Sequence, residues 1–255
     1  MPTTSYDYSG SAVLVTGGTK GLGRGLASRY AAAGARVAVC ARKDPGDLPV
    51  DWTFVPVDLR DAEAAFAMVD AVAERLGGLD VVVNNAGGAL PIDTATASPT
   101  ITEKILALNL AAPMFVSQRA NQHMQAQPGG GAIVNIGSVV AHRPSVGAAA
   151  YGAAKAGLAN FTRTVGQEWA PKVRTNLITV GMIRTESVHL AYGDDAAIAR
   201  IEATVPIGRL VLPDDVASAC LFVTSADAGY ITGADLVMDG GGDRPTWLTA
   251  LAGGS

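Results

Sequence analysis

Residues 11–23 read Ser11-Ala12-Val13-Leu14-Val15-Thr16-Gly17-Gly18-Thr19-Lys20-Gly21-Leu22-Gly23. A short apolar run ends in a cluster of glycines, and a helical pattern follows to about Ala33. The order is strand, glycine turn, helix. Gly17, Gly21 and Gly23 fit the pattern T-G-x-x-x-G-x-G. Glycines at these places let the backbone turn tightly and come close to a pyrophosphate, which then sits at the positive end of the helix beginning near Gly21. The plainer alternative is a flexible Gly-rich loop, and the strand before and the helix after weigh against it.

Outward from this stretch, Gly34 caps the helix and residues 36–41, Arg-Val-Ala-Val-Cys-Ala, make a second strand. A β-α-β unit is complete. In such units the end of the second strand meets the adenosine ribose, where an acid binds a 2′-hydroxyl and a base accommodates a 2′-phosphate. Here Arg42 and Lys43 follow Ala41, and Lys20 adds a cation from the glycine loop. Arg42 can grip a phosphate with its planar fork, while Lys20 is a point charge. NADP(H) is therefore expected over NAD(H). The competing readings are that Arg42 is a solvated charge, or that Asp44 reaches back to a ribose from two residues too far along.

The rest of the chain repeats the alternation. Residues 52–57 form a third strand leading into Asp58 and Leu59, with Asp58 placed to meet an adenine edge. A helix spans about 61–76, and 79–83 is a fourth strand, apolar but for Asp80, as a buried parallel strand should largely be. It ends in Asn84-Asn85-Ala86-Gly87-Gly88, where amides can brace the backbone beneath a cofactor or make an ordinary turn. Ser98 and Pro99 read as N-cap and first turn of a long helix to about Gln127. Pro113 inside it lacks the N–H that would bond the carbonyl of Asn109, so it either frees that carbonyl or merely kinks the helix. A fifth strand, 132–137, leads to Ser138, beyond the carboxyl end of the sheet where ligands bind in open α/β folds. His142 follows, with no acid or nucleophile at a telling distance.

A helix runs from Tyr151 to about Ala170, a sixth strand covers 172–179, a lid is expected at 186–208, a helix at 213–225 and a last strand at 234–238. The tail, 243–255, carries Trp247, Leu248 and Leu251 and is expected to pack on a neighbouring subunit. The fold expected over residues 1–255 is α/β: a single-domain, doubly wound Rossmann fold with a mostly parallel seven-stranded sheet and helices on both faces.

Composition narrows the class. The chain has 255 residues, 49% hydrophobic and 16% charged, with 30 Gly and a net charge of −4. One α/β domain of this length buries a large core, and the acidic balance argues against nucleic acid or an anionic membrane as partner. Three His and scattered carboxylates give no metal site. Cys40 and Cys220 sit in apolar surroundings and read as buried free thiols of a reducing compartment. No apolar run reaches the length of a membrane span, and the first residues show neither the basic region nor the apolar core of a signal peptide. The cytoplasm is the expected location.

One further stretch carries chemistry. Tyr151-Gly152-Ala153-Ala154-Lys155 sets a phenol and an ammonium four residues apart, on one face of a helix. A tyrosine with a pKa of about 10 is a poor base at neutral pH until a cation stabilises its phenolate. Lys155 is placed to do that, although chance alone can produce such a spacing. The small residues Ala153, Ala154, Ala156, Gly157 and Ala159 would let a second helix approach closely.

Taken together these motifs resemble the short-chain dehydrogenase/reductase family from about residue 8 to residue 242. The matching features are the glycine loop Thr16–Gly23, the Asn84–Gly87 box, Asn109, Ser138, the Tyr151/Lys155 pair, Asn176, Thr185 and the closing Asp239-Gly240-Gly241. The resemblance implies that Tyr151 is the general acid in carbonyl reduction and the general base in reverse. It implies that Ser138 holds the substrate oxygen. Lys155 would bind the nicotinamide ribose and lower the Tyr151 pKa, and Asn109 would hold a water linking Lys155 to solvent. Cofactor contacts are implied for Gly17, Thr19, Lys20, Gly21, Leu22 and Gly23, for Arg42, Asp58 and Leu59, for Asn85, Ala86 and Gly87, and for Tyr151, Lys155, Gly181, Ile183 and Thr185. Family members commonly form tetramers through the helices at about 100–127 and 151–170, so a homotetramer or homodimer is expected.

The segment Ile133–Leu158 looks most like bacterial 3-oxoacyl-(acyl-carrier-protein) reductases, and that activity is the alternative to a reductase or dehydrogenase of small ketones and secondary alcohols. Two departures weigh against it. Val180-Gly181 stands where the family usually has Pro-Gly, and Gln125-Ala126-Gln127 stands where a basic cluster would meet an acidic carrier, leaving only Lys172 nearby. A cofactor-binding regulator without turnover is the reading from another class, and the intact Asn109, Ser138, Tyr151 and Lys155 set argues against it.

Overall fold

The computed structural model describes residues 4–242. Seven strands lie in one sheet in the order β3-β2-β1-β4-β5-β6-β7. They are β1 (Ala12–Thr16), β2 (Arg36–Ala41), β3 (Thr53–Pro56), β4 (Val81–Asn84), β5 (Gly131–Ile136), β6 (Val173–Val180) and β7 (Asp235–Met238). Every pairing is parallel, so the sheet is more uniform than the mostly parallel one expected. β1 lies inside the sheet: Leu14 pairs with Ala38 on one side and Val82 on the other. The chain leaves β1 toward β2 and β3, then returns to β4 on the opposite side. That reversal opens a crevice beyond Thr16 and Asn84, where ligands bind in such sheets.

Both faces are covered. Helices α1 (Gly21–Ala32) and α8 (Pro213–Thr224) pack Leu26, Tyr30, Val216 and Cys220 against Val13, Val15 and Val39. On the other face α2 (Ala62–Leu76) and α4 (Ala112–Ala126) bury Met68, Val72, Val116 and Met124 over Leu14, Ala38 and Ile133. There α5 (Ala149–Glu168) sets Leu158 on Leu177 of β6. Leu14, Leu26 and Ile133 are wholly buried, each worth about 1.5–3 kcal/mol relative to exposure. Cys40 and Cys220 are free and buried, one on each side of the sheet.

Local chemistry sets the element ends. Asp61 caps α2 by accepting from the Ala64 N–H at 3.1 Å, and Gly77 closes it with φ +68°. Ser98 caps α3 (Pro99–Leu106), with Pro99 in its first turn. The one long helix expected to Gln127 is instead two helices joined by a π-helical turn, Ala107–Ala111, in which the Ala112 N–H bonds the Ala107 carbonyl. The irregularity thus begins before Pro113, in the turn that carries Asn109, and π turns of this kind are frequent at functional sites. Beyond β6 the chain forms two short helices, α6 (Val188–Tyr192) and α7 (Asp195–Thr204). The tail residues Trp247, Leu248 and Leu251 lie outside the described residues. Among the described residues no helix is long and apolar enough to cross a membrane, and no group of three or more His, Cys, Asp or Glu is placed to hold a metal ion.

Candidate active site

Tyr151 and Lys155 lie in the first turns of α5, one turn apart and on the same face. Lys155 is 3% exposed, and its Nζ donates to the carbonyl of Ile136 at 2.8 Å. Ile136 ends β5 two residues before Ser138, so one strand end both anchors the ammonium and presents the hydroxyl. The Ser138 side chain lies beside the Tyr151 phenol and acts to lower its pKa, and Lys155 Nζ lies 5.7 Å from the centre of that ring. Asn109 is wholly buried. Its Oδ1 accepts from the Gly88 N–H at 2.7 Å, and its Nδ2 donates to the carbonyls of Gly88 at 3.1 Å and Ile105 at 3.0 Å. A Cβ on Gly87 would sit 2.7 Å from Asn109 Oδ1 and 3.5 Å from Lys155 Nζ. Only glycine fits there, between the Asn109 amide and the Lys155 ammonium.

The electrostatics depart from expectation at one point. Burial pushes the Lys155 ammonium down to about 8. Burial also raises the Tyr151 phenol, the Ser138 side chain lowers it in part, and neighbouring Tyr192 raises it again, leaving it above its ordinary value. The spacing argument, in which Lys155 lowers the phenol, is therefore corrected: desolvation of the ring is the larger effect. The ammonium itself is spent on the Ile136 carbonyl. The phenol keeps its proton at neutral pH.

The glycine turn is built by its neighbours. Thr16 Oγ1 accepts from the N–H groups of Asn85 and Ala86, both at 3.0 Å, and Asn85 Nδ2 donates to the carbonyls of Thr16 at 2.9 Å and Gly17 at 3.4 Å. The Asn84–Gly88 segment thus braces the turn rather than forming a simple loop. Gly17 and Gly21 have φ +64° and +56°, which only glycine adopts freely. A Cβ on Gly23 would fall 2.3 Å from the Gly17 carbonyl oxygen. The Gly21 N–H, at the start of α1, donates to the Glu186 carboxylate at 2.7 Å across 165 positions of sequence. This turn accepts an anion in a cradle that side chains cannot fill, and so fits the pyrophosphate of a dinucleotide.

A family model described as enoyl-(acyl carrier protein) reductase matches residues 17–243. The chain is a short-chain dehydrogenase/reductase. D-threitol dehydrogenase of Mycolicibacterium smegmatis is 35% identical over 252 residues, spanning 94% of this chain and 96% of that protein. A candidate short-chain alcohol dehydrogenase from Sinorhizobium meliloti 1021 superposes with a TM-score of 0.87 at 35% identity, covering 93% of this chain and 98% of that one. Ligand-free aldohexose dehydrogenase of Thermoplasma acidophilum gives 0.85 at 29%, with 92% and 94% covered. This short-chain dehydrogenase/reductase is accordingly an NAD(P)-dependent enzyme acting on CH–OH groups.

Other residues of this short-chain dehydrogenase/reductase fall as follows. Arg42 and Lys20 are both exposed, Arg42 just past β2 and Lys20 at the N-cap of α1. Asp44, the competing ribose ligand, accepts from the Gly46 N–H at 2.8 Å within its own turn. Asp58 is ion-paired with Arg60, a partner the sequence reading omits, and the Arg60 hydrogen bond leads the effects that lower its carboxyl to about 2. Val180 is buried as the last residue of β6, in register with Met238. The ladder rather than a proline ring fixes the backbone before Gly181, whose N–H bonds the Met238 carbonyl at 3.0 Å. Ile183 follows, forming a parallel bridge with Val211. A Cβ on Gly21 would touch Thr185 at 3.8 Å, so the end of this segment returns to the glycine turn. A cavity of about 300 Å³ lies past β6 and β7, walled by Met182, Val205, Ile207, Val211 and Met238. It includes neither Ser138 nor Tyr151. His142, set aside for want of an acid, has one in the fold: Asp235 of β7, at 3.1 Å.

Proposed function

We propose that the enzyme moves a hydride between NADP(H) and a ketone or secondary alcohol, with Tyr151 as general acid and base. The observation that carries this reading is the Ser138–Tyr151–Lys155 arrangement: a protonated, half-buried phenol beside a serine hydroxyl and backed by a buried ammonium. When bound, the dinucleotide supplies or accepts the hydride. Ser138 holds the substrate oxygen, and Tyr151 gives that oxygen a proton in reduction and takes one in oxidation. Lys155 meets the nicotinamide ribose, and Asn109 holds a water behind it.

The glycine turn, with Thr19, Lys20 and Leu22, binds the pyrophosphate. Asp58 and Leu59 face the adenine, Asn85, Ala86 and Gly87 line the middle of the crevice, and Gly181, Ile183 and Thr185 wall the nicotinamide. Residues 186–208 act as a lid, and the helical faces at about 100–127 and 151–170 join subunits. Lys172 Nζ donates to the Gln125 carbonyl at 2.6 Å, so the one cation available for carrier-protein docking is engaged, which favours a free small-molecule substrate.

The substrate panel begins with tetritols, aldohexoses and their ketones, the classes named for relatives, run with NADPH and NADH in parallel. NADPH is expected to give the higher kcat/KM. Arg42→Ala is expected to raise the KM for NADPH roughly tenfold or more, the worth of one charge-assisted phosphate contact, and to leave the NADH value nearly unchanged. Equal or better rates with NADH in the unmodified enzyme would overturn the assignment to Arg42 and Lys20.

A further inference from the structure

His142 gains its meaning from three strands that the sequence keeps apart. Its Nε2 lies 3.1 Å from Asp235 Oδ2, and Asp235 Oδ1 accepts from Thr179 Oγ1 at 2.7 Å. A carboxylate only accepts, so Nε2 carries the hydrogen of this bond. Thr179 is wholly buried in β6, and the Asp235 side chain is only 14% exposed although it lies on the edge strand. The imidazole therefore hangs from a fixed point.

The turn it belongs to is short and closed. Gly137, just past β5, is held to β6 by its N–H on the Ile178 carbonyl at 2.8 Å. Ser138 then opens a 3₁₀ turn over Val139–Ala141. The Ala141 N–H bonds the Ser138 carbonyl at 2.9 Å, and the His142 N–H bonds the Val139 carbonyl at 3.0 Å. Ser138 thus sits between two anchors, β6 at one end and the imidazole at the other. The same turn presses on α5: a Cβ on Gly152, next to Tyr151, would lie 3.0 Å from the Val140 carbonyl oxygen.

We propose that His142 is a positioning residue, held by the Asp235–Thr179 pair, which fixes the turn that presents Ser138 to Tyr151. The proposal rests on the roles given above to Ser138 and Tyr151. Without the imidazole anchor the turn is tied at one end only, and a displacement of about 1 Å at a catalytic group costs up to 100-fold in rate.

The test compares His142→Ala and His142→Gln with the unmodified enzyme. Glutamine keeps an N–H donor near the position of Nε2. With the best substrate of the panel, the alanine variant is expected to lose roughly tenfold in kcat while the dissociation constant for NADPH, read by fluorescence, stays within about twofold. The glutamine variant is expected to recover most of that kcat. A second readout needs no substrate: ultraviolet titration of the Tyr151 phenol, with Tyr151→Phe as the blank. Moving the Ser138 hydroxyl away from the phenol, whose pKa it lowers, shifts that titration upward in the alanine variant and not in the glutamine one.

Unchanged kcat and unchanged phenol titration in His142→Ala overturn the proposal. So does a glutamine variant that regains thermal stability while kcat stays at the alanine level. If His142→Ala does not fold, Asp235→Ala, which removes the acceptor of the imidazole, replaces it, and full activity there is equally fatal. A Tyr151→Phe enzyme that still turns over would instead defeat the underlying catalytic reading, so the two failures are told apart.

Discussion

Replacing Tyr151 with Phe is expected to cut kcat by about 10²- to 10⁴-fold, the range that general acid–base catalysis supplies, while NADPH still binds. The substitution removes one oxygen and keeps the ring that packs beside Lys155, whose Nζ remains on the Ile136 carbonyl. The cofactor turn is built from Thr16, Asn85 and the glycines, and touches none of the altered atoms. Steady-state rates with the best ketone of the panel, beside a fluorescence titration of NADPH, separate chemistry from binding. Turnover within a few-fold of the unmodified enzyme would show that the proton comes from elsewhere.

Lys155→Met is expected to abolish most activity and, separately, to change how stability depends on pH. The ammonium is 3% exposed and its folded pKa is lowered by burial to about 8 from 10.5. Below pH 8 both folded and unfolded chains carry the proton, and burial costs the folded state about 3 kcal/mol. Between pH 8 and 10.5 the unfolded chain binds more protons than the folded one, so this residue's contribution to stability rises with pH. Methionine has no such titration. The stability of the variant relative to the unmodified enzyme is therefore highest below pH 8 and falls by about 3 kcal/mol on the way to pH 10.5.

The difference between the two proteins is the quantity to measure, by urea unfolding at several pH values. Cys40, pushed up to about 12, and Tyr30, raised well above its ordinary value, titrate in the opposite sense in the alkaline range, and their contributions cancel in the difference. A gap that stays constant across this range would mean that Lys155 is not desolvated as the fold implies.

The fold was legible because its signals are local. Apolar runs such as Val81–Val83, glycines at Gly17, Gly21 and Gly23, and the Ser98-Pro99 cap each state their structure within a few residues. The residues proposed for catalysis drew on local signals too: Tyr151 and Lys155 are one helical turn apart, and Ser138 lies two residues past the end of β5. What escaped depends on sheet order. His142 and Asp235 are 93 positions apart, and Gly21 and Glu186 are 165 apart. Neither pair exists until β5, β6 and β7 are side by side or the segment after β6 folds back on α1. The sign of the Tyr151 shift was misjudged because spacing reports a neighbouring charge and is silent on burial. At Asn109 the sequence pointed to the freed carbonyl, whereas the side-chain amide makes the contacts to Gly88 and Ile105.

The two cysteines give the molecule an internal pair of sentinels. Cys40 faces the layer formed by α2 and α4, and Cys220 the layer formed by α1. Both thiols are fully desolvated and held protonated, Cys40 at about 12 and Cys220 higher still, so neither reacts while its layer is closed. An alkylating reagent consumes Cys40 only when the α2–α4 side lifts and Cys220 only when the α1–α8 side does. The order in which the two react is a record of which side of the sheet opens first.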